Sequence, residues 1–144
     1  MSLNGAYDEA NVFAKILRDE MPAVKVWEDN DVLAFMDVFP QSRGHVLVVH
    51  KRSKARNILE IEPDNLGDLI MAVQKISHAV AEALAPDGIT IMQFNGEAGG
   101  QTVFHLHFHV IPRWDGQSLG RHGGGMADMD ELRELAGMIA AAVR

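Results

Sequence analysis

The sequence predicts an α+β domain on a mainly antiparallel sheet, and three observations carry that expectation. Five short apolar runs have strand length and β-branched or aromatic content. They arrive as three and then two, separated by one long amphipathic stretch. The turns between successive runs are too short for parallel crossovers, which need a dozen residues or more.

The elements follow in order. Residues 1–10 read as a loose N-terminal arm. In "NVFAKILRDE", Val12, Phe13, Ile16 and Leu17 repeat at helical spacing, with Asn11 as N-cap and Pro22 as stop. "AVKVWED" and "DVLAFMDV" form two strands turned at Asp29–Asn30, and "GHVLVVHK" a third. Residues 62–85, "EPDNLGDLIMAVQKISHAVAEALA", predict a helix whose stripe is Leu66, Leu69, Ile70, Val73, Ile76 and Val80, with Pro63 in its first turn. "GITIMQFN" is a fourth strand and "VFHLHFHVIP" a fifth, joined by the polar "GEAGGQT". A polar loop with "GGG" at 123–125 leads to a last helix. There Asp128 and Glu131 have capping-box spacing ahead of Leu132, Leu135, Met138 and Ile139.

Composition narrows the function classes. The 144 residues suit one domain with a real core, and 47% apolar with 23% charged residues is ordinary for a globular protein. No leader pattern opens the chain, and "MIAAAV" near its end is too short to span a bilayer; a cytoplasmic protein without membrane association is expected. With no cysteine, disulfides, thiolate zinc sites and a thiol nucleophile are excluded. A net charge of −7 argues against a nucleic-acid polymer as partner. Between Asp37 and Glu60, however, Arg43, Lys51, Arg52, Lys54 and Arg56 occur without an acid. They form either a solvated loop or positive potential beside an anionic substrate.

The most informative stretch is "HLHFHVIPR", residues 105–113. On a strand the period of two places His105, His107 and His109 on one face, and Leu106, Phe108 and Val110 on the other, toward a core. Pro112 should end the strand. Three readings compete. The rings can be packed or surface histidines without chemistry. They can ligate a metal, but positions i and i+4 lie about 13 Å apart on a strand, so one zinc cannot reach all three without a bulge. His45 could complete such a site, yet no acid lies in the adjoining motif. Or one imidazole can attack phosphorus while its neighbours orient it and handle protons. Roughly three-quarters of free imidazole is neutral and nucleophilic at pH 7. Backbone amides of loop 96–102, the Gln101 amide and the Thr102 hydroxyl would then receive the phosphate oxygens.

"HLHFHVI" resembles the histidine-triad (HIT) family motif, histidine–apolar repeated three times. "EAGGQTVFHLHFHVIPR", "FAKILRDEMPA" and "VWEDNDVLAFMDVFPQSRGHVLVV" extend the likeness over residues 11–115, leaving the 1–10 arm and the 116–144 loop and helix outside it. The resemblance implies a HIT-like five-stranded α+β fold and a homodimer. It implies binding of a purine nucleotide-type small molecule and cleavage of its α-phosphorus bond; the strand spacing and ligand-poor surroundings add the expectation that no cofactor or metal takes part. Phosphoramidates and dinucleoside polyphosphates are the substrate classes implied; a nucleotide-binding regulatory module with little turnover is the alternative. By the resemblance His107 is the nucleophile, His105 and His109 flank it, and His45 completes the cluster. Asn95, Gln101 and Thr102 line the phosphate site, Asp37 accepts from the ribose hydroxyls, and Phe13, Ile16, Phe35 and Leu47 wall the base. Read only as residues, those four apolar side chains could be core, Asp37 a turn residue and His45 a strand residue. With His107 attacking phosphorus, position along the strand leaves His109 near the leaving atom, or able to hold its partners, and His105 near the third strand and His45.

Departures from the pattern are visible. "NVFA" stands where many bacterial relatives carry Cys-x-x-Cys, so that zinc site is absent. His50 replaces a common proline and, by alternation, points away from His45 to a peripheral place. Ser53 stands where some relatives have histidine. The C-terminal helix is unlike the short tail of the phosphoramidase branch.

Overall fold

A computed structural model describes residues 2–120 and 125–144. Gly123 and Gly124 of the expected glycine loop fall outside them. The order is α1 (Val12–Leu17), β1 (Lys25–Glu28), β2 (Val32–Met36), β3 (Val46–His50), α2 (Pro63–Leu84), β4 (Gly88–Met92), a 3-10 turn at Glu97–Gly99, β5 (His107–Arg113) and α3 (Met129–Ala142). The five strands form one sheet in the order β1-β2-β3-β5-β4, with every neighbouring pair antiparallel. No helix among the described residues is long and apolar enough to cross a membrane.

Local chemistry sets the boundaries. Asn11 accepts from the Ala14 amide and Asp128 from the Glu131 amide, each satisfying an otherwise orphaned donor of a first turn. Pro63 occupies the start of α2, where its missing N–H costs nothing. Helix α1 ends at Leu17, well short of Pro22, where the chain turns through Asp19 at φ 60°. Strand β5 starts at His107 rather than at 103 and runs through Pro112 to Arg113. Proline is tolerated there because pairing with β3 stops at Val110, and Pro112 lies only against Ile89 of β4.

The two sheet faces are different. On one, Val46, Val48, Leu106, Phe108 and Val110 pack with Leu69, Val73, Ile76 and Val80 of α2 and with Leu132, Leu135 and Ile139 of α3. Two members of the expected stripes leave it: Ile70 is 45% and Met138 41% exposed, and Ala72, Ala79 and Ala136 are buried in the helix faces instead. Small side chains let the helices approach the sheet, which a count of large residues misses. On the other face Phe13 and Ile16 of α1 pack on Leu33, Phe35, Leu47 and Val49. The histidines share this second face.

The arm is not loose. The Ser2 and Leu3 carbonyls accept from the Arg56 guanidinium, and Leu3 O also accepts from the Asn57 amide.

Candidate active site

Pairing between β3 and β5 places Leu47 opposite His109 and Val49 opposite His107. Their rings therefore emerge on the α1 face, 5.0 Å apart between centroids. Phe13 meets the His107 ring edge-on at 4.8 Å, and Phe94 meets His109 at 5.5 Å. Both imidazoles line a cavity of about 310 Å³ with Phe13, Ile16, Phe35, Leu47, Asp37 and Thr102. The four apolar residues named from sequence are thus wall and core at once. Val38, Phe39, Val103, Met126 and Met129 are also among its lining residues. A larger, more open groove of about 810 Å³ runs along α2 past Trp27 and Arg144 but holds none of the triad.

His45 meets His109, not His105. Antiparallel pairing brings the start of β3 to the middle of β5, and His45 Nε2 lies 2.9 Å from His109 Nδ1. His105 sits at the opposite end of β3, where its Nε2–H donates to the His50 carbonyl at 3.2 Å. His50 is consequently not peripheral. It is buried, its carbonyl holds His105, and its Nδ1 accepts from the Arg52 and Ser53 amides. Gly44 allows the turn into His45. It has φ +90°, and a Cβ there would collide with the Leu84 side chain and press on Pro112.

Hydrogen-bond partners fix the neutral tautomers. His107 Nδ1 lies 2.7 Å from the His105 carbonyl oxygen, which can only accept, so the proton is on Nδ1 and the lone pair on Nε2. His45 Nδ1 accepts from the Gln41 amide at 3.1 Å, so Nε2 carries its proton and donates to His109 Nδ1. His109 in turn bears its proton on Nε2. The Asp37 carboxylate stands 3.6 Å from His45 Nε2 and also accepts from the Phe39 amide. Burial pushes the His105 pKa down to about 4, against the smaller upward pull of its bond to His50, so His105 is neutral at physiological pH.

The Gly-rich loop differs from expectation. Gly96, Gly99, Gly100 and Gln101 amides bond within the loop. The Gln101 side chain is buried, holding Gly96 N, Arg56 O and Val103 O. Asn95 bonds the Ile58 amide and Gln93. Neither Gln101 nor Asn95 lines the cavity; of the three expected phosphate residues only Thr102 does. A polar side chain beside a glycine loop can serve the scaffold instead: Gln101 braces the loop itself, and Asn95 ties the end of β4 to Ile58. Nor do the five cations form a field toward the site. Arg43 pairs with Glu131, Lys51 with Glu28, Arg52 with Asp31 and Lys54 with Glu9, while Arg56 is buried under the arm.

Two groups among the described residues bring three metal-type ligand atoms within 4.8 Å of one another: Asp37, His45 and His109, and Asp31, His50 and Asp68. An acid does stand by His45, contrary to the motif-based expectation, because the β2–β3 turn folds Asp37 back. Ligand chemistry fits poorly in both groups. His45 and His50 each accept backbone N–H at Nδ1, which leaves a proton on the Nε2 that a cation would need.

A HIT domain model matches residues 18–116. An uncharacterized HIT-like protein of Methanocaldococcus jannaschii is 41% identical over 129 residues, 88% of this chain and 98% of the relative. Adenosine 5′-monophosphoramidase of Schizosaccharomyces pombe is 35% identical, over 71% of this chain and 73% of its own. Adenylylsulfatase of Arabidopsis thaliana is 37% identical, over 77% and 59%. The crystal structure of a Hit-like protein from Bartonella henselae, described as involved in cell-cycle regulation, superposes with a TM-score of 0.92 at 49% identity, covering 96% of this chain and all of that one.

Proposed function

Because the chain belongs to the HIT family of nucleotide-binding proteins and hydrolases, we propose that it cleaves the α-phosphorus bond of a nucleoside phosphoramidate or related nucleotide through a nucleotidyl intermediate on His107. One observation carries the reading: the 2.7 Å bond from His107 Nδ1 to the His105 carbonyl leaves a lone pair on Nε2 in a ring lining the cavity. The likeness to a phosphoramidase and an adenylylsulfatase supports a small leaving group on the α-phosphorus.

The steps balance. His107 Nε2 attacks phosphorus, the bond to the leaving atom breaks, and His109 Nε2–H protonates that atom as it departs. Charge developing on the His107 ring strengthens its bond to the His105 carbonyl. In the second half, water gives its proton to His109 Nε2, attacks phosphorus and releases His107. His45 Nε2–H, donated to His109 Nδ1, holds His109 in the required tautomer and offsets the negative charge its ring carries between giving up the Nε2 proton and recovering one from water. Phe13, Ile16, Phe35 and Leu47 receive a purine base, Asp37 the ribose and Thr102 a phosphate oxygen. No cofactor or metal enters these steps.

The test is covalent labelling by a nucleoside phosphoramidate carrying a labelled α-phosphorus, in the presence of a chelator. Wild type gives an acid-labile, alkali-stable adduct and steady turnover; His107→Ala gives neither, yet binds nucleoside monophosphate. Labelling that persists in His107→Ala moves the nucleophile elsewhere. Binding without turnover in wild type makes the chain a nucleotide-binding module, and activity lost to chelator but restored by zinc overturns the metal-free chemistry.

A further inference from the structure

The nucleophile's support reaches beyond the triad. Tyr7 lies in the arm, 98 residues from His105, yet its hydroxyl is 2.7 Å from His105 Nδ1. The direction of this bond is determined. His105 Nε2–H is committed to the His50 carbonyl, so Nδ1 has only a lone pair and Tyr7 must donate to it. A side-chain hydrogen bond also joins Tyr7 to Asn11, and burial raises the phenol pKa, keeping the donor protonated.

The geometry points to Tyr7 as a positioning residue for the proposed nucleophile: its hydroxyl fixes the ring of His105, whose backbone carbonyl fixes the tautomer and aim of His107. This assignment rests on the reading of His107 as nucleophile. His105 is bonded through three separate atoms, Nδ1 to Tyr7, Nε2 to His50 and the carbonyl to His107. The residue just precedes β5, and the peptide plane that carries its carbonyl is held on its other side by the Leu106 amide, which donates to the Ala55 carbonyl at 3.0 Å, so that bond and the anchors of the His105 ring together set where the carbonyl stands. Removing the hydroxyl leaves a buried acceptor unsatisfied on a ring that is 2% exposed. The ring then shifts or recruits water, and the carbonyl moves with it. Asn11 links the same device to α1, because its side chain caps the helix that carries Phe13 and Ile16. The arm thereby joins the nucleophile's support to the base wall.

The experiment compares Tyr7→Phe and Glu9→Gln with wild type in the full chain. Glu9 pins the same arm through Lys54 and Arg18 but makes no contact with His105. Tyr7→Phe is expected to lower kcat on a nucleoside phosphoramidate about tenfold, the scale of one ordinary hydrogen bond, with KM within about twofold. Nitrogen NMR of the resting protein should show the His105 Nδ1 signal moving in Tyr7→Phe and unmoved in Glu9→Gln, whose kcat stays at the wild-type value. Equal losses in the two variants would mean that the arm merely packs, and would overturn the role. So would an unchanged kcat or an unmoved Nδ1 signal in Tyr7→Phe. Wild-type protein without turnover overturns the hydrolase reading, and this role with it, whatever Tyr7 does; an active wild type with an indifferent Tyr7→Phe sinks this inference alone.

Discussion

The tautomer relay makes a quantitative demand on His109. If Gln41 N–H sets His45, and His45 Nε2–H sets His109, then His109 Nε2–H is the acid for the leaving atom. His109→Ala removes that acid and three ring contacts, with His107 at 5.0 Å, His45 at 5.1 Å and Phe94 at 5.5 Å. A positioned acid contributes about 10²–10⁴-fold, and an aromatic contact roughly 0.5–1.5 kcal/mol, or about two- to tenfold if wholly expressed in the transition state. The two effects separate with the leaving group. For an alkylamine, which must leave protonated, kcat/KM should fall by about 10²–10⁴. For a nitrophenolate or fluoride, which leaves as a stable anion, only the packing loss remains, about tenfold or less. The assay is kcat/KM for both substrate types on wild type and His109→Ala, with thermal unfolding measured alongside. His45→Asn should show the same pattern more weakly, about tenfold on the amine substrate, because it loosens the tautomer without removing the acid. If both leaving groups slow by one common factor, His109 is not the acid and the relay is only structural.

Stability should also depend on pH through His105. Its folded pKa, about 4, lies below its unfolded value near 6.5, so between these values the unfolded chain binds the extra proton. The group costs nothing above pH 6.5 and removes stability as pH falls toward 4, by up to roughly 3 kcal/mol. Denaturant unfolding at pH 7 and pH 4.5 should show a shallower loss in His105→Gln than in wild type; equal losses would contradict the depressed pKa. A homodimer is expected through β4, an edge strand whose Ile91 is 44% exposed. Ile91→Glu should shift the protein toward monomer in light scattering at micromolar concentration, and a monomeric wild type would refute the expectation.

The sequence was most readable where the signal is local. Period two across "HLHFHV" sent Leu106, Phe108 and Val110 to the helix-covered face, and the caps at Asn11 and Asp128 marked their helices. Exposure of Ile70 and Met138 shows the limit of stripe reading: alanines let α2 and α3 sit close, and large residues on the margin stay outside. What was not readable depends on pairing distant in sequence. Which triad member meets His45 is decided by the β3–β5 register, and alternation along β5 alone is silent on it. The same holds for Asp37, folded against His45, and for Met126 and Met129, brought to the cavity from beyond the motif. Tyr7 gave no signal at all, being one aromatic in an arm with no periodicity.

Three like residues also acquire unlike chemistry by this route. His105 faces a carbonyl and a phenol, and burial keeps it neutral; in the proposed reaction its carbonyl rather than its ring takes part. His107 faces that carbonyl, which turns its proton inward and its lone pair outward. His109 faces an imidazole that donates, which turns its proton to the opposite nitrogen. A motif can specify three imidazoles at a spacing of two, but the nucleophile and the acid are distinguished only by the partners folding supplies. A carbonyl behind one ring and a donor behind the next is enough to give adjacent histidines opposite tautomers, and that opposition is what a displacement at phosphorus requires.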